Sequence, residues 1–116
     1  AQNDTKNCKA ETIRLNDEGV KEINSKKYEA GIELLEQALR CEPNYATAYY
    51  NLGTAFYHLG QFEKSIGAFE KAITLYPGYS EAYNQLGLVY AESARYEKAV
   101  EIFNRAIQLK SGASKA

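Results

Sequence analysis

Three stretches of the chain align with one another at a fixed offset of 34 residues, and this period constrains the fold more than any other feature. The matching columns hold glycine, aromatic residues, leucine, alanine or proline: Gly19/Gly53/Gly87, Tyr49/Tyr83, Leu52/Leu86, Phe69/Phe103, Ala38/Ala72/Ala106 and Pro43/Pro77. A period of this length is typical of stacked helix–turn–helix units, none of which can bury its apolar face alone. The sequence therefore predicts an all-α chain of three stacked units with windows at 12–45, 46–79 and 80–113.

The second half of each window carries apolar or small residues at the 3.6-residue spacing of an amphipathic helix. In the middle window these residues are Phe62, Ser65, Ile66, Phe69, Ala72 and Ile73. Gly60 favours a tight turn between two helices, and Pro43 and Pro77 interrupt the chain between units. We predict six helices at roughly 10–25, 28–41, 45–58, 62–76, 79–92 and 96–109. A polar, mobile leader over 1–9 is expected before the repeat domain of 10–111, and a short tail over 112–116 after it.

Composition and charge narrow the classes of function. The formal net charge of −1 gives no overall attraction to nucleic acid or to an anionic membrane, so neither is expected as a partner. No apolar run approaches the ~20 residues that span a bilayer, so membrane insertion is not expected. The chain lacks an initiator Met and a signal peptide, which predicts a processed product or a piece and leaves exported and cytosolic origins both open.

The repeated columns resemble the tetratricopeptide repeat family. The middle window carries the pattern most fully, with Tyr49, Leu52-Gly53, Phe56, Phe69, Ala72 and Pro77, and the third carries Tyr83, Leu86-Gly87, Tyr90, Ala99, Phe103 and Ala106. The first window is degenerate, since Glu18 and Glu22 replace apolar residues, as is common in a terminal repeat. This resemblance implies a right-handed superhelical solenoid of antiparallel helix pairs.

The resemblance also implies a concave groove, lined by the first helix of each unit, that binds a peptide or protein segment. Carried over by position, the groove residues are Asn16, Asp17, Val20, Asn24, Thr47, Tyr50, Asn51, Thr54, Tyr57, His58, Glu81, Asn84, Gln85, Leu88 and Glu92. Helical geometry supports this choice, because Tyr50, Thr54 and Tyr57 share a face opposite the core column of Leu52 and Phe56.

One branch of the family binds terminal carboxylates with Lys and Asn in the first repeat, Asn in the second, and Lys and Arg in the third. The corresponding positions here are Asn16, Val20, Asn51, Glu81 and Gln85, of which only Asn51 matches. A carboxylate needs charge-assisted donors to offset its desolvation, so we do not expect a carboxylate clamp. Amides and tyrosines suit an extended backbone instead, and the acids suit a partner that carries Lys or Arg. A hydrated polar face without a partner is the simpler alternative.

Motifs for catalysis or for a cofactor are absent from the sequence. The chain has one histidine, and it has no CxxC pair, phosphate-binding glycine loop or acidic cluster at metal-ligand spacing. His58 is expected to be solvated or to contact a partner, because nothing adjacent orients it for catalysis. We therefore expect a non-enzymatic protein-interaction module without a cofactor.

The two cysteines have two interpretations. Cys8 precedes the first helix and Cys41 ends the second, and these ends are neighbours in an antiparallel pair. A disulfide between them would close a loop and pin the leader, whereas two free thiols are the default in a reducing compartment.

The last helix lacks a following helix to cover it within this sequence. Ile102, Phe103, Ile107 and Leu109 are therefore expected to include exposed apolar side chains that mark an interface. The alternative function is accordingly a self-assembling structural unit, with a two-fold homodimer through this helix as its simplest form. The rest of a longer parent protein could cover the same patch equally well, and this alternative stays open.

Overall fold

Six α-helices account for most of the chain. The computed structural model describes residues 3–111, with side chains from Cys8 onward, and contains no strand within that range. The helices are α1 (Asn3–Asn24), α2 (Tyr28–Cys41), α3 (Ala46–His58), α4 (Phe62–Leu75), α5 (Ser80–Glu92) and α6 (Tyr96–Ser111). The predicted all-α, six-helix fold is confirmed. The helix ends of α2 to α5 agree with the prediction to within one residue.

The chain differs from expectation at its two ends. Residues 3–9 belong to α1, which begins at Asn3 rather than near residue 10, and α6 continues to Ser111. Near residue 9 this helix is joined to the end of α2, because Cys8 forms a disulfide with Cys41 and Lys9 Nζ lies 3.8 Å from Glu42 Oε1. Residues 1–2 and the predicted tail of 112–116 lie outside the described part of the chain.

The three turns inside the helix pairs share one backbone geometry. Lys26, Gly60 and Ala94 occupy equivalent positions and have positive φ angles of 66°, 75° and 64°. At each turn the next N–H bonds back to the fifth preceding carbonyl, as in Lys27 N to Glu22 O at 2.8 Å, Gln61 N to Phe56 O at 2.9 Å and Arg95 N to Tyr90 O at 2.7 Å. This is the Schellman arrangement, which satisfies carbonyls at a helix end and reverses the chain.

Glycines allow the two helices of each pair to pack closely. An added Cβ at Gly53 would lie 2.7 Å from the ring of Phe69, and one at Gly87 would lie 2.7 Å from the ring of Phe103. In the first pair Gly19 faces Leu35, which is fully buried. The repeated glycine column therefore serves close helix packing, which is why it recurs with the period.

The helices form two rows. Each odd-numbered helix packs against the next even-numbered one, and α2 and α4 in turn pack on α3 and α5. The odd-numbered helices also contact one another, α1 with α3 and α3 with α5, whereas the even-numbered helices do not within residues 3–111. Because one row is closer together than the other, the stack curves with α1, α3 and α5 on its concave side.

Candidate functional site

The middle of the concave side is formed by α3. Tyr50, Thr54 and Tyr57 follow one another at helical spacing and are half-buried, while the core side chains Leu52 and Ala55 point to the opposite face. Thr54 Oγ1 donates a hydrogen bond to Tyr50 O at 3.3 Å, which restricts its rotamer. The groove residues predicted on α3 therefore lie together on one face, with Thr47 and Asn51 also half-buried beside them.

Tyr50 is held by two neighbouring rings. Its ring stacks on Tyr79 with centroids 5.2 Å apart and meets Phe69 edge-on at 5.7 Å. Burial raises the pKa of Tyr50, and the nearby Glu81 carboxylate raises it further, while a hydrogen bond with Gln85 lowers it. Burial also raises the pKa of Tyr79, and a hydrogen bond with Thr47 lowers it by less. The stacked rings of Tyr50 and Tyr79 thus form a weakly polar surface beside the N-terminal end of α5.

The α5 side of the groove is a single stripe of side chains. Glu81, Gln85, Leu88 and Glu92 are spaced i, i+4, i+7 and i+11, so they share one face of the helix. Both glutamates are exposed, and Gln85 and Leu88 are half-buried. Burial raises the pKa of Tyr57, and the charge of Glu92 and a hydrogen bond with it add to the effect. Asn84, also predicted in the groove, is exposed beside this stripe.

The α1 side differs from the prediction at one residue. Asp17 and Asn24 are exposed and Val20 is half-buried, but Asn16 is only 5% exposed. Asn51 Nδ2 donates a hydrogen bond to Asn16 Oδ1 at 3.0 Å, which joins α3 to α1. Asn16 therefore serves the contact between these helices rather than the open groove, because its side chain is buried and its Oδ1 accepts the hydrogen bond from Asn51.

Ile13 is a further candidate groove residue that was not among those predicted. It occupies the α1 position equivalent to Thr47 and Glu81, and its side chain is 60% exposed. The 34-residue offset identifies it directly, since both equivalent residues are predicted groove residues. The first-unit end of the groove is thus more apolar than predicted, with Ile13 and Val20 on one helix.

His58 closes the other end of the α3 face. It is exposed, its ring stacks on Tyr28 with centroids 5.1 Å apart, and it meets Tyr57 edge-on at 5.3 Å. These two ring contacts orient the imidazole on the surface of the protein.

The exposed apolar surface of α6 agrees with the predicted set at Ile107 and differs at its other residues. Ile107 is 64% exposed, but Ile102, Phe103 and Leu109 are half-buried, because Ile102 and Phe103 pack against the core around α5. The other exposed apolar side chains of α6 are those of Tyr96 and Val100, which are 66% and 59% exposed. We call Tyr96, Val100 and Ile107 the α6 stripe. They are the equivalents of Phe62, Ile66 and Ile73, which α5 covers on α4.

Within the part of the chain that the structure describes, no group of three His, Cys, Asp or Glu side chains is arranged to hold a metal ion. None of the six helices within residues 3–111 has the length and apolar content needed to cross a membrane.

Comparison with known protein families identifies the repeat. Two family models described as tetratricopeptide repeat match the chain, one over residues 17–80 and the other over 68–101. The resemblance predicted from the repeated columns is therefore confirmed. A comparison with curated proteins gives no significant match.

Solved structures with the same fold include two kinds of relative. The crystal structure of MamA is 30% identical with a TM-score of 0.84, and the alignment covers 90% of this chain and 61% of the MamA chain. The chain thus spans about three fifths of that relative. The second TPR of Spaghetti (RPAP3), bound to the HSP90 peptide SRMEEVD, is 23% identical with a TM-score of 0.83 over 87% of this chain and 94% of the other. At that identity the likeness shows the fold alone.

Proposed function

We propose that this chain, which belongs to the tetratricopeptide repeat family, is a non-enzymatic module. It binds an extended protein segment along α1, α3 and α5. The observation that carries the proposal is the row of half-buried side chains Tyr50, Thr54, Tyr57 and Leu88 along touching helices. Tyr50 and Tyr57 pack against the core on one side, and all four side chains remain partly exposed on the concave side, whereas the fully buried columns lie on the other faces of the same helices.

Directional contacts support an extended ligand. Extended peptides present backbone N–H and C=O groups that amide side chains can pair with. Asn84 is exposed, and Asn51 and Gln85 are half-buried with an intramolecular partner each, Asn16 and Tyr50. An amide has further donor and acceptor sites after one such bond. Aromatic anchors flanked by these amides combine apolar contact area with hydrogen bonding, which is the composition of interface hot spots.

Selection from a random peptide library tests the proposal. Peptides selected on the wild-type protein should bind Thr54→Arg and Leu88→Arg at least tenfold more weakly, because each arginine fills the centre of the groove. Thr74→Arg is the matched control, since Thr74 is exposed on α4 outside the groove. Circular dichroism establishes that all three variants keep the wild-type helix content.

Chemical-shift mapping of a selected peptide on the wild-type protein locates the site. We expect shifts along α1, α3 and α5. Shifts confined to α2, α4 and α6, or equal loss of binding in the Thr74→Arg control, would show that the groove is not the binding surface.

The α6 stripe supports a second candidate function, self-association. Val100 is 59% exposed whereas its equivalent Ile66 is 7% exposed, so an apolar surface that α5 covers on α4 lies open on α6. The corresponding outer surface of α1 is polar: Arg14 pairs with Glu11 and Glu18, where α3 carries the buried Ala48 and Leu52. Head-to-tail stacking of copies would bury those ion pairs, so a two-fold contact between α6 stripes is the simpler assembly.

Sedimentation equilibrium at tens of micromolar distinguishes the two candidates. Under self-association the wild-type protein is a dimer, and Val100→Glu is a monomer while Thr74→Glu stays dimeric. A wild-type monomer mass excludes this second function and leaves groove binding intact.

A further inference from the structure

The charged side chains of the concave face are all acidic where α3 and α5 form it. None of the 14 Lys and Arg residues of the chain lies in α3 or α5, whereas α5 carries Glu81 and Glu92. On α1 the predicted groove residue with a charge is Asp17, which is exposed. The ion pairs among the side chains of 8–111 join Lys9, Arg14 and Arg95 to other acids, so none of these three carboxylates is in an ion pair within that range.

Two of the acids lie beside tyrosine rings. Glu81 is close enough to Tyr50 and Tyr79 to raise the pKa of both, after the larger effect of burial. The charge of Glu92 likewise raises the pKa of Tyr57, again after the larger effect of burial. A carboxylate next to an aromatic ring suits a lysine or arginine, because the ring packs on the aliphatic stem and attracts the cation while the carboxylate binds the charged head. An acidic ligand would meet repulsion at both positions.

The distance between Glu81 and Glu92 predicts how far apart the two basic residues of a ligand would be. Glu81 and Glu92 are at opposite ends of α5 on the same face, about 16 Å apart along the axis at a rise of ~1.5 Å per residue. An extended segment advances ~3.3 Å per residue, so two side chains that reach these carboxylates are about five residues apart. Between them lie Gln85, which is placed to bond the ligand backbone, and the apolar Leu88.

From this charge complementarity we infer that the groove takes an extended segment with two basic residues about five positions apart, one at Glu81 beside Tyr50 and one at Glu92 beside Tyr57. The inference rests on the groove-binding function proposed above and adds the chemistry of the partner. The peptide SRMEEVD bound to the RPAP3 repeat carries a pair of glutamates. The groove described here would select against such a segment.

Peptide selection on charge variants tests the inference. A random library is selected in parallel on wild-type protein, on the double variant Glu81→Lys/Glu92→Lys, and on Glu101→Lys, an exposed position of α6 outside the groove. We expect peptides from the wild type to be enriched in Lys and Arg with a spacing of four to six residues. Peptides from the double variant should instead be enriched in Asp and Glu, and those from the control should match the wild type.

Affinity measurements on one selected basic peptide give the size of the effect. Glu81→Gln and Glu92→Gln should each weaken binding about two- to fivefold, the range of an exposed ion pair, while Glu101→Gln leaves it unchanged. Replacing both basic residues of the peptide by glutamine should abolish the difference between the wild type and the two groove variants.

The outcomes separate this inference from the proposed function. Groove-binding peptides without basic enrichment, or with acidic enrichment, overturn the inference and leave groove binding in place. Basic peptides that bind Glu101→Lys as weakly as the double variant also overturn it, because overall charge then explains the preference. If no peptide maps to α1, α3 and α5, the proposed function itself fails.

Discussion

The ring of Phe69 lies against the backbone of Gly53, so closely that a Cβ at Gly53 would be 2.7 Å from two of the ring carbons. Phe69 is fully buried and packs within the core between α4 and α5. The same contact recurs between Gly87 and Phe103 in the third unit. A small residue in α3 and a large one in α4 are therefore one structural requirement, which explains why both columns repeat at the same offset.

We expect Gly53→Ala to lower the free energy of unfolding by about 1–3 kcal/mol, because the new methyl group displaces a buried ring. Gly67→Ala is the matched control: Gly67 is helical and exposed, and its added Cβ would have no heavy atom within 4 Å. That substitution should raise the free energy of unfolding by about 0.5–1 kcal/mol through helix propensity. Urea denaturation measures both, and a Gly53→Ala protein as stable as the wild type would contradict the packing argument.

The turn between α5 and α6 contains a residue in an unfavourable backbone conformation. Ala94 has a φ of 64°, at the position where the preceding unit has Gly60 with a φ of 75°. The left-handed region costs a residue with a Cβ about 1–2 kcal/mol, part of which glycine offsets by its greater freedom when unfolded. We expect Ala94→Gly to raise the free energy of unfolding by about 0.5–1 kcal/mol.

Ala10→Gly provides the control for that prediction. Ala10 is exposed inside α1, where glycine should lower the free energy of unfolding by about 1 kcal/mol. If both substitutions destabilise the protein equally in thermal or urea unfolding, the strain at Ala94 does not contribute to stability.

The 34-residue period predicts the helices well because the period records helix packing. Columns such as Gly53 and Phe69 repeat since every unit must bury the same face, and the helix ends follow from the turns between those faces. Columns that face the groove carry no such requirement, and Ile13, Thr47 and Glu81 share one position with three different chemistries. Their location is predictable from the offset, but their contacts are not.

Two differences between the predicted and the observed surface have a common physical origin. The burial of Asn16 depends on a hydrogen bond from Asn51 across two helices, and periodicity contains no information on such pairs. On α6, Ile102 and Phe103 are apolar like Val100, but only their angle around the helix decides which side chains face α5. The 34-residue offset distinguishes these side chains, because Val100 is the equivalent of Ile66, which α5 covers on α4.

The disulfide between Cys8 and Cys41 predicts a stability that depends on redox state. The bridge spans a sequence separation of 33 residues. Closing a loop of this length lowers the entropy of the unfolded chain, which corresponds to roughly 3–4 kcal/mol of stability in the chain-entropy model. We expect intact mass to be lower by two hydrogens under non-reducing conditions, and reductant to lower the free energy of unfolding by about that amount.

A Cys8→Ser/Cys41→Ser protein is the control, since its stability should be lower from the start and insensitive to reductant. A wild-type protein whose mass after air exposure equals that of the reduced chain would contradict the bridge.

Four tyrosines predict how stability changes at high pH. Burial raises the pKa of Tyr50, Tyr57, Tyr79 and Tyr90 above the usual 10.0, and nearby carboxylates add to the shift in each case. A raised pKa means that the folded state keeps its protons where the unfolded state releases them. Stability is therefore fully present below pH 10 and falls as pH rises above it, towards the raised values in the folded state.

Tyr57 allows a specific test of this pH effect, because Glu92 contributes to its shift through charge and a hydrogen bond. In Glu92→Gln the pKa of Tyr57 should move down towards its usual value while that of Tyr90, whose neighbours are Glu70 and Arg95, stays raised. Titration of the tyrosine ring resonances by NMR measures both pKa values in one sample. The loss of stability above pH 10 should then be smaller in Glu92→Gln than in the wild type, because less of the difference between folded and unfolded pKa values remains. An unchanged Tyr57 titration would show that burial alone sets its pKa.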